Sequence, residues 1–334
     1  MVSNLPSLQT LWVHSVPFKR CDTALLNKLE GIKRLIISCS DLWAFMVPME
    51  SFSHIGELLL LSCHIGKEPW DEGDTFEQTL VKYSIANVFS RRLRASSIYI
   101  RCYYSWDIED WIEMFRNTPT SQALQSFGVH CMHFTSECHV SSSMFDFLHD
   151  AAATLTHLTL GASHVKKRDG EHGYLPDEQY AYHKFDSDEM RARLAPLTSL
   201  RSVTLQFDFH TTGFNPDVYP RADVFAHMVP LLASFPPCLQ QVTLSFANPA
   251  YDLNISTGHA HSSPHGGSWV WPELDLRPLV LLLQRYEQLE AVVFEGAEGT
   301  TAEERTRILY DLPELRGVIQ FGELGEKEKI GLLA

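Results

Sequence analysis

The feature that most constrains this chain is a short apolar pattern recurring along its whole length. An apolar residue is followed by two variable positions, a second apolar residue, one variable position and a third apolar residue. It reads Leu8-Gln-Thr-Leu11-Trp-Val13, Ile32-Lys-Arg-Leu35-Ile-Ile37 and Ile55-Gly-Glu-Leu58-Leu-Leu60. Ala95-Ser-Ser-Ile98-Tyr-Ile100 and Leu124-Gln-Ser-Phe127-Gly-Val129 are weaker copies. Leu155-Thr-His-Leu158-Thr-Leu160, Leu200-Arg-Ser-Val203-Thr-Leu205 and Leu239-Gln-Gln-Val242-Thr-Leu244 are the clearest. Leu289-Glu-Ala-Val292-Val-Phe294 follows, and Leu315-Arg-Gly-Val318-Ile-Gln320 closes the series without its third apolar residue. Successive copies start 23 to 50 residues apart. A regular leucine-rich array repeats every 20–29 residues or so, which makes this series irregular and interrupted by insertions.

Helical periodicity fills several of the intervals. Ile108, Trp111, Ile112 and Phe115 fall at i, i+3, i+4 and i+7, behind the capping candidates Ser105 and Asp107. Phe225, Met228, Val229 and Leu232 repeat that spacing, with Pro230 expected to kink or shorten the helix. Leu279, Leu282, Leu283 and Tyr286 follow Pro278, and Thr301-Ala-Glu-Glu304 reads as a capping box. Shorter helical pieces are expected around residues 25–29, 76–89, 144–152 and 188–194. Lead-ins such as Leu5-Pro-Ser-Leu8, Leu197-Thr-Ser-Leu200, Phe235-Pro-Pro-Cys-Leu239 and Leu312-Pro-Glu-Leu315 turn the end of a helix into a strand.

A strand and a helix repeated in this way build a parallel sheet. The fold expected is α/β, a single irregular leucine-rich-repeat solenoid over 1–334. Strands would line its concave side and helices its convex side, with insertions near 62–92, 161–190, 206–222 and 247–272. A doubly wound sheet would require glycine-rich turns after the strands, and these are missing.

On these motifs the chain resembles the leucine-rich-repeat region of F-box proteins, in particular the divergent versions of mushroom-forming fungi. Leu5-Pro-Ser-Leu-Gln-Thr-Leu11 and Leu155-Thr-His-Leu-Thr-Leu160 carry the likeness most directly. At the turn after the strand, where the family places Asn or Cys, Cys63 matches. Ser40, Ser163 and Asp208 are polar substitutes, and Val16 and Ala247 depart from the pattern. The resemblance implies substrate recognition for a ubiquitin ligase. The F-box has no room ahead of a first unit that begins at Leu5, so the chain by itself is not expected to bind a ligase core. The first unit also lacks a polar cap, so the chain is read as the repeat portion of a longer ancestor or as offering that end to a partner.

Charge limits the choice of partner. Lys and Arg number 27 against 41 Asp and Glu, a net charge of −14. Such a surface repels phosphate backbones, which argues against nucleic acid or an anionic membrane and leaves a protein partner. The runs Arg91-Arg92-Leu93-Arg94 and Lys166-Lys167-Arg168 are too short to reverse that. The longest apolar stretch, 279–283, is far below a membrane span. With no secretory signal and seven cysteines without paired spacing, a cytosolic or nuclear protein is expected.

No motif for catalysis is present: there is no G-x-S-x-G elbow, His-Glu-x-x-His helix or phosphate-binding glycine loop. Carboxylates at 186–189 and 303–304 sit at helix starts, where the dipole favours them. Two clusters carry metal-ligand types: His130-Cys131-Met132-His133 with Cys138-His139, and His259, His261 and His265 in a Ser/Gly/Pro-rich loop. Neither has zinc spacing, so no cofactor, no metal and no enzymatic activity are expected. A metal protein or unrecognised enzyme built on these inserts is the contrasting reading, and a binding solenoid unconnected with ubiquitin is another.

Strand alternation then selects candidate partner-binding residues. If the apolar residues of each copy face the core, the positions between and after them face the concave side. These are Trp12, His14, Arg34, Glu57, Tyr99, Arg101, His130, His157, Gln206, Gln241 and Glu295. Trp, Tyr and Arg are the residue types that dominate binding hot spots, which directs attention to Trp12, Tyr99 and Arg101.

Overall fold

The computed structural model describes residues 8–14, 31–38, 54–61, 93–133, 142–163, 187–208, 229–247, 276–296, 300 and 302–323. Each of the ten motif copies contributes a strand at or immediately after it. They are β1 (Thr10–His14), β2 (Arg34–Ser38), β3 (His54–Leu61), β4 (Arg94–Tyr104) and β5 (Ser126–His133). Then come β6 (His157–Ser163), β7 (Ser202–Asp208), β8 (Gln241–Ala247), β9 (Ala291–Gly296) and β10 (Ile319–Glu323). The protein is α/β, and the strands hydrogen-bond in sequence order in one parallel ten-stranded sheet.

Five α-helices are described: α1 (Ser105–Arg116), α2 (Ser142–Asp150), α3 (Ser187–Leu194), α4 (Arg277–Leu283) and α5 (Ala302–Asp311). Three 3-10 turns add to them: Pro119–Gln122, Val229–Ser234 and Pro313–Leu315. The segment expected as a helix over 225–232 is a 3-10 turn where it is described, since Pro230 removes a helical donor and crowds the preceding turn. The expected pieces around 25–29 and 76–89 lie outside the described residues, as do most of the four expected insertions.

The chain divides into two compact units, one comprising 1–129 with 139–155, the other 130–138 with 156–334. In the first, Leu11, Leu35, Leu58 and Ile98 stand side by side across β1 to β4, as do Val13, Ile37, Leu60 and Ile100. These are the second and third apolar residues of each copy, and from Val13 and Leu35 onward all of them are buried. Trp111, Ile112 and Phe115 of α1 are buried, with Trp111 stacked on Phe115. Phe127 meets Phe147 of α2 edge to face at 5.5 Å. Thr118 and Thr120 fasten the end of α1 to the start of β4. The Thr120 hydroxyl donates to the Leu93 carbonyl (3.0 Å) and accepts from the Ala95 amide (3.3 Å), while that of Thr118 donates to Phe115 (2.8 Å).

In the second unit the same positions align as Leu158, Val203, Val242 and Val292, and as Leu160, Leu205, Leu244 and Phe294. Phe207 and Phe246 continue that face, stacked at 5.2 Å. The final copy is corrected by one residue. Ile319 pairs with Val292 and Phe321 with Phe294, so the third apolar residue is present as Phe321. Leu315 lies upstream in a 3-10 turn, where it is still buried. The extra residue in this turn shifted the motif by one place.

One backbone feature recurs at the strand starts. The carbonyl of the second residue in a copy accepts from the second and third amides of the next copy. Gln9 accepts from Lys33 (2.8 Å) and Arg34 (2.9 Å), Thr156 from Arg201 (2.9 Å) and Ser202 (3.0 Å). Arg201 accepts from Gln240 (2.8 Å) and Gln241 (3.0 Å), and Gln240 from Glu290 (2.7 Å) and Ala291 (3.1 Å). Gly56 holds this place in the third copy, where an added Cβ would come within 3.0 Å of the Lys33 carbonyl. Between the lead-ins of the second unit, the Tyr286 hydroxyl donates to Leu232 and the Arg285 guanidinium to Ala233. Burial raises the Tyr286 phenol to about 12, with Arg285 opposing the shift and Cys238 adding to it.

Candidate interaction face

Alternation leaves three rows of side chains on the sheet face opposite the motif's second and third apolar residues. In the first unit, Thr10, Arg34, Glu57 and Ser97 form the row nearest the strand starts. Trp12, Ile36, Leu59 and Tyr99 form the next, and Ser38, Leu61 and Arg101 the last. The Arg34 guanidinium meets the Glu57 carboxylate at 2.5 Å, joining adjacent strands, and both side chains are half-buried. Trp12 donates from its indole Nε1 to the Ser38 hydroxyl at 3.0 Å, which fixes the ring while leaving it 45% exposed.

The rest of this face differs from expectation. Ile36, Leu59 and Tyr99 are buried, and so are Ser38, Leu61 and Arg101, the last at 1% exposure. A partner cannot touch Tyr99 or Arg101 without displacing what covers them, so direct contact is withdrawn for these two residues. The sequence held a signal for this that alternation overlooked: Leu35-Ile-Ile37, Leu58-Leu-Leu-Leu61 and Ile98-Tyr-Ile100 are apolar on both faces. Such unbroken runs mark parallel strands covered on both sides.

In the second unit, the row nearest the strand starts is His157, Ser202, Gln241 and Ala291. His157 and Gln241 are exposed. The Gln241 amide donates to the Thr243 hydroxyl (3.1 Å), and the His157 Nδ1 hydrogen-bonds with Thr156 (2.7 Å). The middle row is Thr159, Thr204, Thr243, Val293 and Gln320, partly accessible except for Thr243. The third is Gly161, Gln206, Ser245, Glu295 and Gly322.

That third row packs large beside small. His130 of β5 occupies the volume above Gly161, its Nδ1 only 2.1 Å from where a Cβ would stand. Glu295 lies beside Gly322 at ordinary van der Waals distance, its Cγ 3.5 Å from where a Cβ would stand. His130, Gln206 and Ser245 are fully buried, so expected contact of His130 and Gln206 with a partner is also withdrawn. Ser245 Oγ is a buried hydroxyl with no hydrogen-bond partner.

Within each unit the row nearest the strand starts is mostly accessible and the row nearest the strand ends mostly buried. Trp12, His157 and Gln241 are the expected contact residues that are exposed, Arg34, Glu57 and Glu295 are half-buried, and His14 pairs through its backbone with Ser38. Of the two histidine clusters, His130 alone has a described side chain, and 259–265 lie outside the described residues. Among the described residues no group of three or more His, Cys, Asp or Glu stands ready for a metal. No described helix is long and apolar enough to cross a membrane. No family model and no curated protein matches the chain.

Proposed function

We propose that this chain is an irregular leucine-rich-repeat solenoid that binds a protein through the open part of its sheet face and performs no chemistry of its own. Its favoured role is substrate recognition of the kind the leucine-rich-repeat part of an F-box-type ubiquitin ligase adaptor performs. The observation that carries the binding reading is Trp12, a large aromatic side chain held in place by a hydrogen bond yet 45% exposed. Rigid aromatic side chains anchor binding surfaces because they bury much area at little entropic cost. The repeated carbonyl contact at the strand starts supports the repeat architecture. The acidic surface favours a protein partner over nucleic acid.

The test is quantitative capture from native cell extract, with the wild type compared against Trp12→Ala and against Leu281→Ala. Leu281 is a residue of α4, 77% exposed, and not among the expected contact residues of the strands. A specific protein partner is expected to lose at least tenfold in recovery with Trp12→Ala and to be retained with Leu281→Ala. Equal recovery from all three would remove the binding assignment. The ligase role is tested by sequencing the transcript upstream of Met1: an F-box there supports it, and a transcript without one leaves a binding solenoid unconnected with ubiquitin.

A further inference from the structure

We draw no further inference here: the strongest candidate, the buried polar row of His130, Gln206 and Ser245 on the sheet of the second unit, carries nothing, because nothing among the described residues shows what covers it.

Discussion

Two single atoms decide much about the second unit's polar row. The missing Cβ of Gly161 is what admits the His130 imidazole. Gly161→Ala must push a fully buried ring out of place, and overpacking of this kind costs about 1–3 kcal/mol. Urea denaturation of G161A should show that loss. Adding His130→Ala to it should cost less than the sum of the two single changes, because the clash is then gone. Additive losses would mean that the ring does not rest on Gly161. Ser245 behaves in the opposite sense. Its buried hydroxyl lacks a partner, so Ser245→Ala removes a desolvation penalty and should leave stability equal or raise it by about 1 kcal/mol. A clear drop in the urea midpoint would show that the hydroxyl is bonded after all. Tyr286 adds a pH dependence. Its folded value of about 12 lies above the ordinary 10.0 because burial disfavours the phenolate. Its contribution is therefore complete below pH 10 and lost as pH rises through 12. Thermal melts between pH 9 and 12 should fall more steeply for the wild type than for Tyr286→Phe, and parallel curves would contradict the assignment.

At the scale of elements, several strands are held at their starts by more than their apolar pattern. The carbonyl of one copy's second residue receives amides of the next at β2, β7, β8 and β9, a backbone contact that helps fix register. In the first unit the turn at Pro119–Gln122 does the same work through side chains, with Thr120 serving both Leu93 and Ala95. Thr120→Val keeps the shape but strips the hydroxyl, leaving two buried backbone groups without this contact. A loss of about 1–3 kcal/mol is expected by urea denaturation. Hydrogen exchange at Ala95 should rise relative to the Leu58–Leu60 amides, and an unchanged rate would separate this turn from β4 stability. The first helix shows where local patterning suffices. Ile108, Trp111, Ile112 and Phe115 predicted α1 because their 3.6-residue spacing is not interrupted by proline, and three of the four are buried. The final copy shows where it does not. A three-residue 3-10 turn at 313–315 absorbed Leu315, and the strand's register lies one place later than the motif suggested.

For the molecule as a whole, the expected contact residues divide by which side chains stay open. Trp12, His157 and Gln241 are exposed, while Tyr99, Arg101, His130 and Gln206 are buried. Alanine replacement of Tyr99 or Arg101 should therefore damage folding before it reports on binding, which makes Trp12→Ala the informative change. In circular dichroism W12A should melt within a few degrees of the wild type, whereas Arg101→Ala should melt markedly lower; equal melts would place Arg101 at an open surface. The sequence by itself determined the strand positions, their parallel order and the apolar rows of the core. Those follow from a period of two within each strand and from the repetition of one short unit, both of which are local. Only the tertiary structure decided which of the outward rows remain accessible. Alternation says that a side chain leaves the core face, but whether water or more protein waits on the other side depends on residues distant in sequence. Arg101 is the sharpest case: it stands at a position that alternation assigns to the outer face, and it is buried all the same.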